Sequence, residues 1–139
     1  MRNRSFLLLM EQICMIAVFA VAAAICLRGF ASANKISQER NTLDSSVALA
    51  QDTCEILKHT KGDIKTAAQI LGGHIEESVL FVYYDQDKKT TDPTAAVYVV
   101  KASPKTLDED LGASVVEVYS DDRLIYDLTV AWQTGGGIK

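Results

Sequence analysis

The stretch that decides the architecture is FLLLMEQICMIAVFAVAAAICL, residues 6–27. Wound as an α-helix it reaches about 33 Å, against about 30 Å for the hydrocarbon core of a bilayer. Its polar residues are Glu11 and Gln12. Arg2 and Arg4 precede it, while the flank behind it mixes Arg28, Lys35, Glu39 and Arg40. The positive charge ahead of the run favours a cytoplasmic N-terminus. The expected location is therefore the cell membrane, crossed once, with the remainder of the chain extracytoplasmic and the lipid bilayer as first partner.

A cleaved secretory signal is the competing reading. Two arginines, an apolar core at residues 13–27 and the small-residue site Ala31-Ser32-Ala33 have that pattern, and the mature chain would begin at Asn34. Glu11 and Gln12 interrupt the run, and the helical pattern continues past Ala33; both favour a retained anchor. A carboxylate at Glu11 is costly in lipid, about 2.5–3.5 kcal/mol near the centre of the bilayer and less towards an end. Either Glu11 reaches the headgroups or is protonated, or it pairs with a positive group on a neighbouring subunit.

Charge is segregated along the chain. Residues 1–33 carry three arginines against one glutamate, net +2, whereas residues 34–139 carry eleven basic against seventeen acidic side chains, net −6. A domain of that sign lacks the basic face that neutralises phosphates, so no nucleic acid partner is expected. Of the three cysteines, Cys14 and Cys26 fall in the apolar stretch, and Cys54 lies about 42 Å beyond Cys26 along one helix, which excludes a disulfide between them.

The helical pattern runs on. Residues 31–61 contain neither Pro nor Gly, and Ile36, Leu43, Val47, Ala50, Cys54 and Leu57 recur at steps of seven, four, three, four and three, one face of a helix. Gly29 is the one weak point, costing about 1 kcal/mol. A single helix over residues 6–59 is predicted. Gly62 ends it, Asp63 caps a short second helix at 64–71, and Gly72-Gly73 closes that one.

Four strands follow, at 79–84, 95–102, 114–120 and 123–131, all rich in Val, Ile, Tyr and Thr. The polar break Ser120-Asp121-Asp122-Arg123 joins the last two as a hairpin. The short connections suit an antiparallel meander, and a sheet apolar on one face needs a cover. The one long amphipathic element is the outer half of the first helix. Leu43, Val47, Ala50, Cys54 and Leu57 are thus the expected helix–sheet core, with Cys54 as a small core residue. The fold class is α+β: a long N-terminal helix, transmembrane then amphipathic, on four antiparallel strands. Residues 1–33 form the leader and transmembrane segment, 34–132 the outer domain, and 133–139, with three consecutive glycines, a flexible tail.

Catalytic and ligand motifs are sparse. His59 and His74 flank the short helix without further ligands at suitable spacing, and the loop 85–94, with Asp85, Asp87 and Asp92, lacks the ligand spacing, glycine and distal Glu of a calcium loop. Residues 106–112 read as a solvated turn or loop. There is no Ser/His/Asp or Cys/His set and no phosphate-cradling glycine loop. No enzymatic activity, cofactor or metal is expected.

A short basic leader, an apolar helix with a carboxylate near its start (Ser5-Phe6-Leu7-Leu8-Leu9-Met10-Glu11), an amphipathic continuation to about Leu57 and a small antiparallel sheet together resemble the type IV pilins and pseudopilins. The chain is similar to minor-pilin-like membrane proteins of Gram-positive bacteria, down to the sheet ending LIYDLTVAW. The resemblance implies a pilin-like fold and a structural subunit that assembles through its N-terminal helix with other pilin-like subunits and their assembly machinery, in a pilus, secretion or DNA-uptake apparatus. It also implies that Glu11 is the assembly glutamate, which in the family is fifth in the mature chain and pairs with a neighbour's amino terminus. A cut after Phe6 makes Glu11 fifth and a cut after Ser5 makes it sixth, while the family's peptidase cuts after glycine. The alternative is an anchored or secreted domain that binds an extracellular ligand, unrelated to pili.

Overall fold

The computed structural model describes residues 2–134. Helix α1 spans Arg2–His59, followed by α2 (Ile64–Leu71) and strands β1 (His74–Glu76), β2 (Val79–Tyr84), β3 (Tyr98–Asp108), β4 (Leu111–Ser120) and β5 (Arg123–Gln133). The molecule is α+β, with one long N-terminal helix and a five-stranded sheet in the order β1-β2-β3-β4-β5, every neighbouring pair antiparallel. Gly29 lies inside α1 without interrupting it. Two compact units divide the chain, Met1–Arg40 and Asn41–Lys139.

The sheet has five strands where four were predicted. The additional one, β1, is three residues long and joins β2 through Glu77 and Ser78, both at positive φ (49° and 69°). Neither periodicity nor an Asn-Gly or Asp-Gly turn marks it. β3 starts three residues later than expected and runs on through Pro104 to Asp108, so that residues 106–108 are strand and not a solvated turn. Proline is tolerated there because β2 pairs with β3 only as far as Ala102, which leaves Pro104 bonded on the β4 side alone. At the other end Gln133 belongs to β5, and the Thr134 N–H donates to Asp110 O at 3.1 Å, so the predicted tail cannot begin at 133. Residues 135–139 lie outside the described part.

Within the second unit the core forms between the C-terminal part of α1, α2 and one face of the sheet. Leu49, Ala50, Cys54 and Leu57 of α1 join Ala67 and Ala68 of α2 and Leu80, Val82, Tyr84, Val100, Val116, Val118 and Val130 of the sheet in one buried cluster. Strands β2 and β4 alternate buried and half-buried residues, as strands covered on one face should. Ala50, Cys54 and Leu57 are buried and Val47 half-buried, but Leu43 is 43% exposed. Leu43 lies three residues ahead of Ser46, the first buried residue of α1, and so falls short of the cover.

The buried face of α1 also contains two hydroxyls. Ser46 and Thr53 are fully buried, and each donates to the carbonyl four residues earlier, Ser46 Oγ to Thr42 O and Thr53 Oγ1 to Leu49 O, both at 2.8 Å. Bonded back onto their own helix, these two hydroxyls are paired although buried.

The elbow between the helices has the expected caps. Gly62, at φ +79°, sends its N–H to Leu57 O at 2.9 Å. Asp63 caps α2, accepting from Lys65 N at 3.2 Å and Thr66 Oγ1 at 2.6 Å, and these bonds hold its carboxyl below the ordinary aspartate range. Trp132 of β5 packs against this elbow. A β-carbon built on either Gly62 or Gly112 would overlap its indole.

Candidate assembly site on the first helix

Every described residue from Asn3 to Asn41 is exposed. Between Phe6 and Phe30, fourteen large hydrophobic side chains are each 47–77% exposed. The helix is long and apolar enough to cross a membrane, and its most apolar window is wholly unburied. A soluble monomer rarely leaves more than a few hundred Å² of contiguous apolar surface uncovered.

Glu11 is the acidic side chain inside this apolar stretch. Helical spacing brings Cys14, Met15, Val18, Phe19 and Ala22 onto its face, and these residues line one shallow groove with it. Chemically the face offers one carboxylate set in a slot of apolar and small side chains, suited to a helix that presents a single cation. Ser5 and Phe6, the two positions after which a leader cut would set Glu11 sixth or fifth, are helical and exposed; Ser5 lines a second groove with Asn3, Arg4 and Leu8.

The helix–sheet residues have a structural part. Cys54 is buried, which pushes its thiol up, with Lys58 opposing the shift. Burial likewise raises the Tyr84 phenol; Asp52 adds to the rise and a hydrogen bond with Thr53 opposes it. In the loop after β2, Asp85 Oδ1 accepts from the backbone N–H of Asp87 and of Lys89, each at 2.9 Å, so this carboxylate shapes the turn. His74 stacks on Phe81 and Tyr83 of the neighbouring strand at ring distances of 5.7 and 5.3 Å. His59 ends α1, beyond the last buried residue Leu57.

Sequence reasoning missed Ser46 and Thr53 because it followed apolar residues alone, and Leu49 because the stripe it followed ran through Val47 and Ala50. The signal was present in the spacing: Ser46, Ala50, Thr53, Leu57 and Thr60 recur at steps of four, three, four and three, and all but the last are buried.

Against known protein families, curated proteins and solved structures alike, the chain shows no match.

Proposed function

We propose that this chain is a single-pass membrane protein of pilin-like type, a structural subunit that associates through α1 with similar subunits of a pilus, secretion or DNA-uptake assembly. The observation that carries the reading is the exposed apolar helix from Phe6 to Phe30 with Glu11 inside it. Lipid covers such a surface without cost, whereas Glu11 gains from a cationic partner in that medium. The N-terminus is cytoplasmic and the α+β unit extracytoplasmic, in keeping with Arg2 and Arg4 ahead of the apolar run. The subunit is not an enzyme and uses no cofactor or metal.

Replacement of Glu11 by Ala tests the assembly role. Detergent-solubilised membranes expressing the wild-type chain yield other pilin-like subunits on affinity purification, and Glu11→Ala loses them while the chain remains in the membrane fraction. Retention of those subunits by Glu11→Ala removes the basis for assembly through this residue. An anchored ligand-binding domain is the second reading, favoured by the stacked His74, Phe81 and Tyr83 rings on the outer sheet face. Under that reading Glu11→Ala changes nothing. Mature protein beginning at Asn34 refutes the retained anchor.

A further inference from the structure

Glu11 and Arg4 share one face of α1. Seven residues of α-helix come within about 20° of two full turns and rise about 10.5 Å, so the two side chains stand one above the other. Both are exposed. They do not serve each other within one chain, because ion pairs along a helix form at spacings of three or four residues. Arg2, nine residues from Glu11, falls on the opposite side of the helix. From Ser5 to Leu27 Glu11 is the one charged residue.

The side chains around these two make the same match. Arg4 shares a groove with Leu8, and Glu11 shares one with Cys14 and Met15. Along a parallel neighbour displaced by seven residues, Arg4 meets Glu11, Leu7 meets Cys14 and Leu8 meets Met15; a whole heptad keeps the same face in contact. An undisplaced parallel pair would set two Glu11 carboxylates together in lipid, where like charges repel most. Arg28 is the other cation near the apolar run, 17 residues from Glu11. Bringing it to Glu11 of a parallel neighbour takes a displacement of about 25 Å, which draws most of the run out of the bilayer. A displacement of about 10.5 Å, divided between two copies, is one that tilt and local bilayer thinning accommodate.

We propose that Glu11 is paired by Arg4 of a second copy of this chain, whose α1 lies parallel to the first and one heptad further out. This pairing rests on the assembly role given to Glu11 and names its partner. The planar guanidinium donates N–H bonds to both carboxylate oxygens at once, a fit that a lysine would not give. Parallel helices keep both outer units on one side of the membrane. The contact is heterologous: the second copy's own Glu11 is left for Arg4 of a third, so copies add in one direction. Arg4 stays in the assembled chain, and the residues ahead of Phe6 are part of the contact.

Directional cross-linking in membranes of cells expressing the full chain tests it. In a Cys26→Ser background, one copy carries Leu7→Cys and Cys14→Ser, and a differently tagged copy keeps Cys14. Mild oxidation is expected to join the two copies in at least about ten-fold the yield of the Cys14–Cys14 dimer, because only the displaced pair brings positions 7 and 14 within disulfide reach. Arg4→Gln in the Leu7→Cys copy is expected to lower that yield about ten-fold or more, and so is Glu11→Gln in the Cys14 copy. The same changes placed in the opposite copies, and Arg2→Gln in either, are expected to leave it within about two-fold. A dominant Cys14–Cys14 dimer overturns the displacement, and equal loss from Arg2→Gln overturns the choice of cation. Membrane fractionation establishes insertion; should Arg4→Gln fail to insert, Glu11→Gln in the Cys14 copy decides, and an unchanged yield there overturns the pairing. A cross-linked product that lacks Arg4 by mass spectrometry overturns it as well. If Glu11→Ala loses co-purifying subunits while Arg4→Gln leaves the cross-link unchanged, the pairing falls and the assembly role stands. If no pilin-like subunit co-purifies but the cross-link depends on Arg4, the wider assembly falls and the pairing stands.

Discussion

Gly62→Ala should be one of the most damaging small substitutions in the chain, for two separable reasons. The first is backbone: Gly62 sits at φ +79°, and an L residue held in the left-handed region costs about 1–2 kcal/mol. The second is contact. The new methyl would overlap Cζ2 and Cε2 of the Trp132 indole, the latter at 2.6 Å, so the ring must move. That ring has little room, because its other neighbour is Gly112, where a β-carbon would overlap Nε1 and lie 2.7 Å from Cε2. Overpacking of this kind costs about 1–3 kcal/mol, which brings the expected total to about 2–5 kcal/mol. Urea unfolding of the full chain in micelles, followed by circular dichroism, measures it. A double-mutant cycle with Trp132→Leu separates the parts: with the indole gone, only the backbone cost of about 1–2 kcal/mol should remain, and the coupling should be about 1–3 kcal/mol. Equal costs of Gly62→Ala in both backgrounds would refute the contact between the elbow and β5.

Two further outcomes follow from titratable groups. Burial raises the Cys54 thiol, so at neutral pH it should resist alkylation in the folded Cys14→Ser, Cys26→Ser protein and react promptly once urea unfolds the outer unit. Rapid labelling under native conditions would remove Cys54 from the core. Hydrogen bonds from Thr66 and Lys65 depress the Asp63 carboxyl, so its ionised form stabilises the fold above the ordinary aspartate value of about 3.9, and that contribution fades as pH falls through the lower folded value. The stability difference between wild type and Asp63→Asn should therefore shrink on acidification, as followed by urea midpoints across acid pH; a difference that grows instead would contradict the cap.

What the sequence revealed and concealed divides along physical lines. The long helix was legible because Pro and Gly are missing for thirty residues, and the second helix because Asp63 and Gly72 bracket it. Strand β1 was not, since three residues show no periodicity and its turn uses Glu77 and Ser78 at positive φ in place of glycine. The end of β3 was misread because Pro104 argues against a central strand, and only the shortness of β2 makes that stretch an edge. The cover was placed one turn too early. Leu43 is apolar but beyond the sheet, whereas Ser46 and Thr53 are polar by composition yet satisfied by their own helix. Glu11 stood out from composition alone, as a carboxylate in an apolar run. That β5 ends the sheet could not, because which strand is last is a property of the pairing order.

The role proposed for α1 rests on a difference between its two parts. From Ser46 to Leu57 the buried face combines apolar side chains with hydroxyls bonded to their own backbone. From Phe6 to Phe30 there is no such face: large apolar side chains point in every direction, and each is exposed. A helix that is hydrophobic all round asks for a medium and not for one partner, since a single neighbouring element would cover one side only. Lipid satisfies the whole circumference, which leaves Glu11 as the feature lipid does not satisfy. Under the proposed function a neighbouring helix serves that one residue and its groove, not the apolar surface as a whole. Loss of Glu11 should accordingly uncouple association from insertion, leaving the chain in the membrane without its neighbours.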